Sequence, residues 1–116
     1  MQELNKTHII GYVRESRQSQ VGQSKVINFS VVTRRLYESK TGEKVIEQTF
    51  HHVSAWANNE KGERLFARIV EGAAVEVEGR YRVREFVRKD GVTAKVHEIV
   101  ATNISVLNEE LICEEG

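Results

Sequence analysis

The chain contains no proline and a single cysteine, Cys113, among its 116 residues. A lone thiol forms no internal disulfide, so the fold must hold by its core and not by covalent staples. No apolar stretch is long enough to cross a bilayer, and the first residues lack the pattern of a signal peptide; a cytoplasmic protein with no membrane partner is expected. Catalytic signatures are scarce too. There is no phosphate-cradling glycine loop and no nucleophile motif of the G-x-S-x-G kind. His8, His51, His52 and His97 show no metal-ligand spacing, and the adjacent His51 and His52 must point to opposite faces of their strand. The sequence therefore predicts no enzyme, no metal and no cofactor.

What remains is the composition of one compact domain, 40% hydrophobic and long enough to bury a core unaided. The formal net charge is zero, but it is unevenly placed. Glu109, Glu110, Glu114 and Glu115 fall in the last ten residues, which hold no Lys or Arg, so residues 1–106 carry 17 basic against 13 acidic side chains, a net +4. A mildly basic body with an acidic end is a local asymmetry that the total conceals. The expected organisation is one domain over residues 1–107 and a short acidic tail over 108–116.

Alternation of apolar and polar residues predicts strands at "THIIGYV" (7–13), "KVINFSVVT" (25–33), "IEQTFHHVSAW" (46–56), "AAVEVEGRYRVREFV" (73–87) and "TAKVHEIVATNISVL" (93–107). Polar "RESRQSQVGQS" reads as a loop after the first strand, and "KTGE" and "RKDG" read as turns. Between the third and fourth strands, "NNEKGERLFARIVEG" changes period: Leu65, Phe66, Ile69 and Val70 recur at helical spacing, with an Asn to cap the start and Gly72 past the end. Five strands with one helix between the third and fourth is the order of the OB-fold, a small all-β barrel in which the helix plugs one end. Another small five-stranded barrel or sandwich is the alternative.

The stretch "EGRYRVREFVRKDG" (78–91) carries the functional signal. In an extended chain Arg80, Arg82, Arg84, Phe86 and Arg88 share one face, and Tyr81, Val83 and Val87 share the other, which is expected to be buried. A binder of single strands needs cations to follow phosphates and flat side chains on which unpaired bases stack. The third strand adds Phe50 and Trp56 in one register with His52 between them, and Tyr37, after the second strand, extends the platform. Arginine alternating with apolar residues is also what any half-solvated strand looks like, and Phe50 or Trp56 could equally fill the barrel. A protein-binding module would present a similar face. Phe86 weighs towards nucleic acid, because a large ring set among arginines costs solubility.

Taken together, "NKTHIIGYV", "INFSVVT", "KTGEKVIEQTFHHVSAW", "VEGRYRVREFVRKDG" and "HEIVATNISVL", in this order and spacing, resemble the bacterial-type single-stranded DNA-binding proteins over about residues 5–107. The resemblance implies stacking of bases on Phe50, Trp56 and Phe86, with Tyr37 or Leu36 at a fourth position and Tyr37 preferred. It implies phosphate contacts from Arg34, Arg35, Arg80, Arg82, Arg84 and Arg88, with Lys6 and Arg14 at the margin. It also implies a homo-oligomer, a tetramer or dimer paired through the first strand, acting in replication, recombination or repair alongside partner proteins. The pattern departs at "NEELICEEG", where the family's flexible linker and acidic Pro-Phe tip have no counterpart. That departure leaves open a mobile-element or plasmid paralogue, or a primosomal relative whose barrel serves as a protein-interaction module; a cold-shock-like RNA binder is a third reading.

Overall fold

The computed structural model describes residues 2–107; the acidic tail expected over 108–116 lies outside the described residues. Five strands and one helix follow in order: β1 (Thr7–Val21), β2 (Ser24–Glu38), β3 (Lys44–Ala57), α1 (Glu60–Arg68), β4 (Ala74–Val87) and β5 (Thr93–Val106). The sheet closes on itself as β1-β2-β3-β5-β4. Every pairing is antiparallel except β3 with β5, which meet in parallel at Val53–Ile99 and Ser54–Val100. This is the five-stranded barrel of the OB-fold, with its helix between β3 and β4.

Inside the barrel the period of two selects Val13, Ile27, Phe29, Val31, Val53, Val75, Val77 and Ile99, all buried. Side chains of this size contribute about 1.5–3 kcal/mol each on full burial, so this set is the main favourable term of the fold. Phe66 and Ile69 close one end. Their helix starts where Asn59, in extended backbone, accepts the Gly62 N–H at 2.8 Å, and Glu60 and Glu63 lie in its positive first turn. It is shorter than the periodicity predicts. Arg68 is its last residue, Val70 is exposed, and Gly72 (φ +92°) turns the chain into β4 by donating its N–H to the Val13 carbonyl.

Two further expectations fail for one physical reason. The polar segment 14–24 is not a loop: β1 and β2 continue as a paired hairpin from Ser16–Phe29 to Val21–Ser24, turned by the two residues Gly22 and Gln23 with Gly22 at φ +60°. Tyr81, Val83 and Val87 are not buried but exposed, because the outer half of β4 leaves the barrel with β5 as a projecting arm. Apolar alternation reports burial of one face, and neither hairpin has a core beneath it. The ladder hydrogen bonds, with a few side-chain bonds, keep these segments extended.

The arm departs at a register shift between Glu78 and Gly79. Gly79 lies so close to β5 that a Cβ there would come within 2.2 Å of the Val100 carbonyl oxygen and 2.9 Å of the Ala101 Cα. All of these neighbours are β5 backbone, so no flexible side-chain atom is there to yield. Gly79→Ala is therefore expected to cost about 1–3 kcal/mol or more, seen as a lower urea midpoint at unchanged slope; an unchanged midpoint would show that the two strands can part there freely.

Candidate nucleic-acid interface

Strand register decides which side chains share the outer surface. Val53 and Ile99 face inward, so Ser54 and Val100 face outward, and Val100 is also opposite Arg80 on β4. Steps of two along each strand then give Phe50, His52 and Trp56 on β3, Glu98 on β5, and Arg82, Arg84 and Phe86 on β4, all on the outside. Phe50 is 60% exposed, Trp56 58% and Phe86 40%. None fills the barrel. Trp56 lies six positions beyond Phe50, about 20 Å along the strand.

The expected row of arginines is present but is not a row of free cations. Arg82 Nη2 and Arg84 Nε both donate to the same Glu98 carboxylate oxygen, each at 2.9 Å. Arg88 turns back onto Asp90, donating from Nη2 at 2.9 Å and from Nε at 3.4 Å. Asp90 also accepts the Val92 N–H, and this bond, followed by Arg88, holds its carboxyl below the usual range. Arg80, Arg34, Lys6 and Arg14 are exposed and make no ion pair among the described residues. A wide cleft lined by Arg14, Arg17, Asn28, Ser30 and His52 joins the β1–β2 hairpin to the β3 surface.

Tyr37 stands apart from the other rings. The β2–β3 register pairs Val32 with Phe50 and Leu36 with Ile46, so Leu36 shares the face of Phe50 and Tyr37 has the opposite parity. The Arg35 guanidinium lies over the Tyr37 ring, 5.2 Å from its centroid. Leu36 and Ile46 are both exposed.

Sequence reasoning missed four residues. Tyr81, assigned to a buried face, is exposed; its hydroxyl hydrogen-bonds the His97 Nδ1, and the two rings lie 6.0 Å apart. It lines a shallow depression with Phe50, His52 and Glu98. Asn5 clamps the Tyr81 backbone from both sides, donating to its carbonyl at 2.7 Å and accepting its N–H at 3.0 Å. Tyr12 is exposed on β1 beside Val32, whose other neighbour is Phe50; its alternation with Val13 is the signal that would have placed it outward. Glu98 carries no local signal, since its partners are 14 and 16 residues away.

Among the described residues one group has metal-ligating character: His8, Glu76 and Glu78 bring ligand atoms within 4.8 Å of one another across β1 and β4. Sequence spacing cannot show such a juxtaposition. His8 Nε2 and Glu76 Oε2, 2.6 Å apart, already satisfy each other. On the inner face, His51 shares a hydrogen bond with Thr33 at 2.9 Å, and burial lowers its pKa.

The profile of the Single-strand binding protein family matches residues 4–107. The chain belongs to that family. It is similar to the single-stranded DNA-binding protein of Neisseria meningitidis, 29% identical over 107 residues, covering 90% of this chain and 60% of the relative. The chain thus spans about three fifths of the Neisseria relative's length. The mitochondrial single-stranded DNA-binding protein of Danio rerio is 29% identical over 117 residues, covering 93% of this chain and 79% of the relative. In fold, the chain superimposes on a Plasmodium falciparum SSB solved in complex with ssDNA, with a TM-score of 0.77, 23% identity, and coverage of 92% and 97%. The family resemblance drawn from the sequence and the barrel architecture agree with these findings.

Glu98 also makes a prediction for stability. Burial raises its pKa, but the hydrogen bonds and charges of Arg82 and Arg84 outweigh that effect and hold it below the ordinary glutamate value. A depressed folded-state pKa stabilises the protein above the unfolded-state value and loses that contribution as pH falls through the folded one. Urea midpoints should therefore fall from pH 7 to pH 3, and the fall should be smaller in Glu98→Gln; an identical fall in both would show that this carboxylate carries none of the acid sensitivity.

Proposed function

We propose that the protein binds single-stranded DNA without catalysing a reaction and with little regard for base sequence, protecting and organising the strand during replication, recombination or repair. The observation that carries this reading is the one outward surface on which Phe50, Trp56 and Phe86 stand exposed among Arg80, Arg82 and Arg84. Every unpaired base has a flat face, so a bare ring accepts any of them, each stack contributing about 1–3 kcal/mol. Guanidiniums take the phosphates between stacks, positioning the strand without reading it. The names of the Neisseria and Danio relatives support the same partner.

Along this surface the strand runs from the β4–β5 arm over β3 and into the cleft beside Arg14 and Arg17, with Arg34 and Lys6 as outlying cations. Leu36 and Ile46 continue the Phe50 face, while Tyr37 with Arg35 faces the reverse of the β2–β3 hairpin, off this path. Arg88, committed to Asp90, contributes less than its position in the sequence implies. Copies pairing through β1, where Ile10 and Tyr12 are exposed, would set several such surfaces along one strand. That pairing would make the working form a homo-oligomer.

Trp56 is the only tryptophan and reports directly. Its emission should fall when poly-dT is added and recover as salt rises, because released counterions oppose binding. Phe50→Ala and Phe86→Ala should each weaken binding by about 1–3 kcal/mol and leave the dependence on salt unchanged, whereas Tyr37→Ala should change affinity little. Unchanged emission and unchanged electrophoretic mobility at low salt, together with capture of a protein partner, would overturn this reading in favour of an interaction module.

A further inference from the structure

We infer that Glu98 is a positioning residue for the phosphate-binding surface: it holds the Arg82 and Arg84 guanidiniums in place and withholds one unit of positive charge from the strand. The inference rests on the reading that this surface binds single-stranded DNA.

Glu98 faces outward by register, yet it is only 2% exposed. It sits beneath the two arginines. Arg82 is its direct cross-strand partner, and Arg84 lies two residues further along the same strand. Both donate to one oxygen, so a single anchor fixes two cations side by side. Arg84 spends its Nε on the anchor, which leaves both of its terminal Nη groups for other acceptors. Arg82 spends Nη2, and its own Nε is buried with no partner.

Two physical consequences follow. A guanidinium is a planar fork whose outer edge matches two phosphate oxygens, and fixing its inner edge settles in advance the rotamer entropy that binding would otherwise cost. Two neighbouring cations would also repel each other and spread. The buried carboxylate suppresses that, at the expense of reducing the local charge from +2 to +1. The surface becomes better ordered and less sensitive to salt than its arginine count implies.

Two substitutions separate ordering from charge, with Trp56 emission on a dT oligomer as the readout across a range of salt. Glu98→Gln retains shape and an acceptor but frees one positive charge. Its plot of log affinity against log salt should steepen by about 0.7, the value for one more neutralised phosphate on a single strand. Glu98→Asp retains the charge but withdraws the anchor by one methylene. Its salt slope should match the parent, while affinity falls on the order of three- to tenfold as two long side chains lose their preset rotamers. A carboxylate of purely structural importance would lower the unfolding midpoint in both variants and move neither binding readout. Parent-like slope in Glu98→Gln, or parent-like affinity in Glu98→Asp, overturns the inference; should Glu98→Gln fail to fold, Glu98→Asp decides alone. If the parent protein itself does not bind the oligomer, the functional reading falls and this inference falls with it, an outcome distinct from a parent that binds with normal slope and variants that match it.

Discussion

The barrel closes through a parallel contact of only two residue pairs, Val53 with Ile99 and Ser54 with Val100, and the rest of the molecule inherits its orientation from that contact. Once Val53 and Ile99 are committed to the interior, the period of two fixes the direction of the other side chains on β3, and of those on β5 as far as the bulge at Thr102. The β2–β3 and β4–β5 ladders carry that assignment outward, along 14 register pairs in the first case, to residues that touch no core. Phe86 and Phe50 are thereby aimed by backbone hydrogen bonding and not by packing. A ring oriented this way stays bare, and bareness is what a stacking platform requires. A one-residue slip would turn all of these rings to the reverse side together.

This division between core and ladder also explains what could be read from the sequence. Inside the barrel, Ile27, Phe29 and Val31 alternate cleanly because one face is dry, and the strand is visible as such. From Arg14 to Gln20 both faces are wet, so no alternation exists, although the hairpin is paired from Ser16 onward. The remaining clue was Gly22 at the first position of a two-residue turn. On β4 the error ran the other way: Tyr81, Val83 and Val87 alternate as a buried face does, but they lie beyond the end of the barrel. The rings Phe50, Trp56 and Phe86 were legible because parity needs only local sequence. Whether Leu36 or Tyr37 joins them depends on the register that the β2–β3 turn imposes, and the Glu98 anchor on pairing between strands.

Charge shows the same contrast between count and arrangement. Arg80, Arg82 and Arg84 on alternate positions of β4, with Arg88 just past its end, look like four phosphate contacts. In the fold two of them share a buried carboxylate and a third closes a turn, so Arg80 is the one without an ion pair among the described residues. Electrostatic affinity falls with rising salt, whereas stacking does not share that dependence. On the proposed reading, three rings at about 1–3 kcal/mol each would supply a term comparable to the whole of a weak complex, so part of the binding would survive rising ionic strength. The partial neutralisation of the arginines shifts the balance towards the rings.

Exposed rings ordinarily threaten solubility, because contiguous apolar surface draws other molecules. Here they are not contiguous. His52 and Ser54 stand between Phe50 and Trp56 on the same face, and Arg82 and Arg84 flank the approach to Phe86. A folded protein partner would need a continuous apolar patch to bury; a flexible strand does not, since its backbone can span the polar gaps and offer a base wherever a ring occurs. The spacing that keeps the surface soluble therefore also favours an extended polyanion over a globular ligand. On the proposed reading, the polar residues between the rings are as much a part of the recognition surface as the rings themselves.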